Sequence, residues 1–300
     1  MNPIARILIA ALLSLVSLSA NAQFKQEIKD KIHQYLLVQQ KLNGFNGLVQ
    51  ISNAGDTFTD TIGFAVMEYK VPVQTASVFR IASITKQFTA ALTAKAIVDG
   101  KLRINDSLGQ FFPSAPPGWK AINIHQLLTH TSGIPHNEGI KGYWQTKSLL
   151  PFTPSQAMEE IFSMTLLFKP GTGTQYSSQA YMLLANILEQ VYKDSFQQIL
   201  SREVFIPLKM HTSGVYSPLR IVPRMTSGYH LAGDSLMAAP YRDYSLMKGS
   251  GDLYTSAADL QRWNNSFLAE GFWHPKVKDI LFTIQNTAPI NGHSDTYGYG

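Results

Sequence analysis

Apolar residues recur along the chain first at helical and then at strand spacing. In "FKQEIKDKIHQYLLVQQKL" (24–42), Phe24, Ile28, Ile32, Tyr35 and Leu36 fall on one helical stripe. From Gly47 to Val66 the pattern becomes an alternation, read as two strands joined by the turn residues Asn53-Ala54-Gly55-Asp56. The run Gln87–Val98, rich in Ala, Leu and Ile, has no breaker and predicts a helix that Gly100 stops. From about Leu102 to Leu208 the chain reads as helix and connector. "INIHQLLTHTSGIP", "TPSQAMEEIFSM" and "SQAYMLLANILEQVYKDSFQQIL" are the helical stretches, and "FFPSAPPGW" and "FKPGTGTQ" separate them. Strand-like alternation returns only afterwards, with Ser256-x-x-Asp259 as a capping box opening a further helix. This order predicts an α+β core with a mostly helical insertion.

Composition narrows the class. Three hundred residues with 45% hydrophobic and 15% charged content describe a globular chain with an ample core. The net charge of +5 loses only Arg6 with the leader, and no run of five basic residues exists, so nucleic acid is not an expected partner. That leader is "MNPIARILIAALLSLVSLSANAQ". It carries one early positive charge, an apolar stretch Ile7–Leu18 and the small-x-small ending Ala20-Asn21-Ala22. It predicts a signal peptide over residues 1–22, cleaved after Ala22. Its apolar stretch is too short to span a bilayer, and there is no Cys for a lipid anchor or a disulfide. The expectation is a periplasmic or secreted protein without a stable membrane anchor.

The candidate chemistry is Ser83-Ile84-Thr85-Lys86, at the mouth of the Gln87–Val98 helix. A serine in a first helical turn presents its hydroxyl to a cleft, and a lysine three residues on lies on the same face. Burial of that helix would strip solvent from Lys86 and lower its pKa towards that of a working base. The same spacing recurs at Ser245–Lys248 in a Gly-flanked segment, read as chance. His125, His130 and His136 are five and six residues apart, which does not suit paired helical ligands, so no metal is expected. His130 is read as bonding within its own "LLTHTSG" turn. No Gly-x-Ser-x-Gly elbow and no phosphate-binding glycine loop occurs, and no cofactor is expected.

"VFRIASITKQFTAAL" resembles the serine β-lactamase and penicillin-binding-protein superfamily, in its class C-like branch of β-lactamases, D-amino-acid peptidases and esterases. "LLTHTSGIP", "KPGTGTQYSSQAYMLLANILEQV", "PLKMHTSG" and "GSGDLYTSAADLQRW" resemble further segments of that family in its order. The resemblance covers nearly all of 23–300 and implies one β-lactamase/transpeptidase-like domain, an antiparallel sheet flanked by helices, with the helical part at about 102–208. It implies Ser83 as the acylated nucleophile, Lys86 as its proton partner, and Tyr176 as a proton shuttle whose phenol pKa the Lys86 charge lowers. The family motif is Tyr-x-Asn, whereas this chain reads Tyr176-Ser177-Ser178. Ser178 keeps a hydroxyl for substrate binding but loses the amide. The family's Lys/His-Thr-Gly strand would follow "GYG" at 298–300, so the closing strands are expected beyond the given sequence. The implied function is hydrolysis of amide or ester bonds in β-lactams, D-amino-acid peptides or small esters. The alternative is a non-catalytic protein of the same fold that binds peptidoglycan-like ligands.

Overall fold

The computed structural model describes residues 24–53, 55–233, 235–285 and 297–300. The signal-peptide reading of residues 1–22 lies outside them. The chain divides into two compact units, with the boundary between Thr75 and Ala76.

In the first unit, helix α1 (Gln26–Asn43) ends at Gly44, whose left-handed φ of 66° lets its N–H turn back to the last carbonyls. Strands β1 (Gly47–Asn53) and β2 (Asp56–Ile62) pair antiparallel, with Asn53 opposite Asp56 across the predicted turn. The short strands β3 (Phe64–Val66) and β4 (Val71–Pro72) form a second antiparallel pair. The α1 stripe is narrower than its spacing suggests. Leu36 is buried, but Tyr35 is 62% exposed and Ile28 44%. Adjacent helical residues lie about 100° apart, so one packing face cannot cover both 35 and 36.

The second unit is built round two buried helices. Strand β5 (Val78–Arg80) leads through a tight 3₁₀ turn, Ala82–Ile84, into α2 (Thr85–Val98). Phe88, Ala90, Ala91, Leu92, Ala94 and Ala96 of α2 are all buried. A helix that is apolar on every side belongs in a core. Next come α3 (Leu108–Phe111), α4 (Ile124–Leu128) and α5 (Pro154–Phe162). Asn123 and Thr153 cap α4 and α5 with full capping boxes through Gln126 and Gln156. Helix α6 (Ser178–Tyr192) is the other central helix, buried from Ser178 to Leu188 and packed on both α2 and α4. After α7 (Phe196–Leu200) come β6 (Gly214–Val215), the hairpin β7 (Tyr229–Ala232) and β8 (Ser235–Ala238), β9 (Leu253–Ser256), α8 (Ala257–Leu268) and α9 (Pro275–Phe282).

The three-stranded antiparallel sheet β5-β9-β6 joins the start of the unit to its end, with Arg80 and Gly214 both opposite Tyr254. Trp263 of α8 stacks on Phe88 of α2 with ring centroids 4.0 Å apart. The predicted capping box at α8 is half formed. Ser256 Oγ accepts from Asp259 N–H, but the Asp259 carboxylate accepts from Thr212 and Ser213 and pairs with Arg262 instead of turning back. Its aspartate side chain is short, and the β6 approach supplies nearer donors. The arrangement is an α+β fold with antiparallel ladders and flanking helices.

Candidate active site

Ser83 is exposed in the middle of the 3₁₀ turn, and Lys86 is buried one turn into the chain beyond it. The residue before the serine, Ala82, has φ of 43°. This left-handed conformation costs a non-glycine residue about 1 kcal/mol and aims the turn outward. The Lys86 ammonium position is held by three oxygens. Nζ lies 2.8 Å from the Ser250 carbonyl, 3.2 Å from Ser178 Oγ and 3.3 Å from Ser83 Oγ.

Burial lowers the Lys86 pKa from 10.5 to about 7, so near neutral pH a large share of the side chain is the free amine. A neutral amine has two N–H groups and one lone pair. The Ser250 carbonyl can only accept, so it takes one N–H. With the other N–H on Ser178 Oγ, the lone pair is left to the Ser83 hydroxyl. The arrangement can therefore take a proton from Ser83.

The loop that brings Ser250 to the lysine is itself fixed. Gly249 has φ of 69°, and a Cβ there would run into Ala185 Cβ. Thr89 Oγ1 donates to the Gly249 carbonyl at 2.6 Å, and the Asp252 carboxylate accepts the Gly249 N–H at 3.0 Å. Burial pushes Asp252 up from 3.8 to about 7.

The Tyr176 ring lies under Lys86, with Nζ 4.7 Å from its centroid, and its phenol hydrogen-bonds with Ser83. Its pKa is raised by burial, which outweighs the hydrogen bond with Ser83. This corrects the expectation that Lys86 lowers it: the lysine is half neutral near pH 7, whereas desolvation acts on the phenolate throughout. Tyr176 therefore holds its proton at neutral pH and can pass it on as an acid.

Ser178 is buried, 1% exposed, with its hydroxyl turned to Lys86. The four predicted residues thus meet around one lysine. Two histidines join them. Ser177 N–H donates to His130 Nδ1 and Ser178 N–H to His136 Nδ1, each at 3.1 Å. Both rings face Tyr176, at 4.6 and 5.3 Å between centroids. His130 is thus not confined to its own turn as expected. Its Cα sits at φ of 60°, which swings the ring across to the 176–178 segment. Burial, with Lys86 and His136 nearby, takes its pKa down to about 3. Sequence spacing missed His136 and the Ser250 carbonyl. A histidine straight after Ile134-Pro135 was a weak signal, and a backbone carbonyl carries none.

The second Ser-x-x-Lys pair is structural. Ser245 Oγ accepts from Phe152 N–H, while Lys248 turns away to Glu189 and Asn186. Among the described residues no group of three or more His, Asp or Glu side chains converges as metal ligands.

A profile of the Beta-lactamase family matches residues 37–296. Putative penicillin-binding protein PbpX of Bacillus subtilis (strain 168) is 28% identical over 271 residues, 90% of this chain and 64% of the relative. D-alanyl-D-alanine-carboxypeptidase/endopeptidase AmpH of Escherichia coli (strain K12) is 26% identical over 244 residues, 76% of this chain and 61% of the relative. The chain spans less than two thirds of the length of either. Among solved structures, D-amino acid amidase from Ochrobactrum anthropi SV3, complexed with L-phenylalanine amide, superposes with a TM-score of 0.76 at 22% identity. That match covers 90% of this chain and 79% of the amidase.

Proposed function

The chain belongs to the beta-lactamase family, and from that premise we propose that it is an exported serine hydrolase that forms an acyl-enzyme on Ser83. The observation that carries the reading is the exposed Ser83 hydroxyl beside a buried lysine amine whose pKa is about 7. In acylation the Ser83 oxygen attacks the substrate carbonyl carbon and its proton passes to Lys86. The bond to the leaving nitrogen or oxygen then breaks, and that atom takes a proton delivered through Tyr176, which is replenished from Lys86. In deacylation water adds to the Ser83 ester, gives up a proton along the same path, and releases the acid with Ser83 restored. Ser178 holds Lys86 in place of a longer amide.

The bonds cleaved are amides or esters, in D-amino-acid peptides, β-lactams or small esters. The names of the relatives, a carboxypeptidase/endopeptidase and a D-amino acid amidase, support the first of these. Export rests on the leader at residues 1–22, and residues 23–300 are assigned to the hydrolase domain.

The test is labelling of the mature protein with a fluorophosphonate, read by intact mass. One adduct is expected, absent in Ser83→Ala. Labelling that persists in that variant removes Ser83 from the mechanism. An unlabelled protein that still retains peptidoglycan fragments would instead be a binding protein. Turnover of a D-Ala-D-Ala peptide, a chromogenic cephalosporin and a p-nitrophenyl ester then ranks the substrates.

A further inference from the structure

The segment Tyr176-Ser177-Ser178 carries two of the groups around Lys86, yet little of its own sequence holds it. Ser177 Oγ caps α6 through Ala180 N–H and donates to the Pro135 carbonyl. The amides of Ser177 and Ser178 are first-turn donors with no helical acceptor, and both are taken by imidazoles. An imidazole accepts through Nδ1 only when it is neutral and carries its proton on Nε2. For His130 that tautomer places Nε2–H towards Tyr297 OH at 3.3 Å. A continuous line then runs from His136 Nδ1 to Ser178 N–H, from Ser178 Oγ to Lys86 Nζ, and from Lys86 Nζ to Ser83 Oγ.

We propose that His136 is a pH-sensitive positioning residue: its unprotonated Nδ1 holds the Ser178 amide, and so the Ser178 hydroxyl, in register with Lys86, and protonation of the ring releases that hold. A protonated ring would set N–H against N–H at the Ser178 contact. This rests on the reading of Ser83 and Lys86 as nucleophile and base.

His136 differs from His130 in being able to titrate. It is only partly buried, whereas His130 is fully enclosed. Four groups bear on it. Desolvation and the Lys86 charge oppose the imidazolium, and the Glu138 carboxylate favours it. Tyr176 faces its ring, and His130, neutral through the assay range, lies on the other side of Tyr176. The net direction is downward from 6.5, so the ring is unprotonated and holds Ser178 at neutral pH, and the hold is lost only as the solution becomes acidic.

The experiment measures the fluorophosphonate labelling rate from about pH 4 to about pH 9 for the wild type, His136→Ala and His136→Asn. Asn places Oδ1 where Nδ1 was and cannot titrate. His136→Ala should label about tenfold more slowly at about pH 8, the loss of one positioning hydrogen bond, and His136→Asn should recover most of that rate. On the acid limb the wild-type rate should fall more steeply than the tenfold per unit of a single ionisation, and His136→Asn should keep the shallower slope. Wild-type labelling by His136→Ala, or superposable profiles for wild type and His136→Asn, would overturn the proposal.

A second readout does not need Ser83 chemistry. Long-range ¹H–¹⁵N spectra at neutral pH should show His136 protonated at Nε2 and bare at Nδ1. The opposite tautomer sinks the proposal even if labelling fails altogether or survives in Ser83→Ala. His136→Asn and the spectra remain decisive if His136→Ala does not fold.

Discussion

The pKa of Lys86 has a direct kinetic consequence. With a pKa of about 7, about one lysine in eleven is neutral at pH 6 and about ten in eleven at pH 8. If the free amine takes the Ser83 proton, the labelling rate should rise about tenfold across that interval and level off above it. Replacing Lys86 by Ala removes the base and should cost about 10²–10⁴ in rate. The same shift has a stability signature of fixed sign. The unfolded lysine binds its proton up to 10.5 and the folded one only up to about 7, so stability rises with pH between those values. The span corresponds to about 5 kcal/mol by which the folded site favours the free amine over the cation. Stopped-flow or gel-based labelling at constant ionic strength gives the rate, and urea melts over the same pH range give the stability. A rate that is flat from pH 6 to pH 8, or a Lys86→Ala variant labelled within threefold of wild type, would refute Lys86 as the base.

Two further outcomes test the loop that presents the Ser250 carbonyl. Asp252 is raised from 3.8 to about 7, so the folded state binds the extra proton and stability should decline as pH rises through that window. Asp252→Asn keeps an acceptor for Gly249 N–H, should abolish the decline, and should stabilise the protein above pH 7 by up to about 4 kcal/mol in urea melts. Gly249→Ala places a side chain at φ of 69° against Ala185 and Thr89. Strain of about 1–2 kcal/mol and overpacking of about 1–3 kcal/mol should lower Tm by roughly 5–15 °C. The labelling rate should fall with it because Ser250 moves, and an unchanged melting curve would contradict the packing argument.

The strands β1 and β2, the buried run of α2 and the helical stretches of α5 and α6 were legible in the chain, because each is a local pattern. Alternation needs only neighbours two apart, and a helical stretch shows itself within a few turns of its own sequence, although the caps Thr153 and Ser177 were seen only in the structure. The pairing of Ser83 with Lys86 was legible for the same reason, since three residues on a helical turn fix their mutual reach. Where one local reading was too generous, at α1, the width of a packing face set the limit.

The amino-acid sequence by itself determined which side chains could do chemistry and the order of segments that marks the family. Only the tertiary structure decided their protonation. Lys86 reaches about 7, and Tyr176 is raised rather than lowered, because α2 and the 176–178 segment are desolvated together. The holding of the site was likewise decided in three dimensions. The Ser250 carbonyl is 164 residues from Lys86 in the chain, and the two imidazoles are 47 and 42 residues from the amides they accept. No periodicity encodes such contacts. They exist only once two central helices have packed and closed water out from between them.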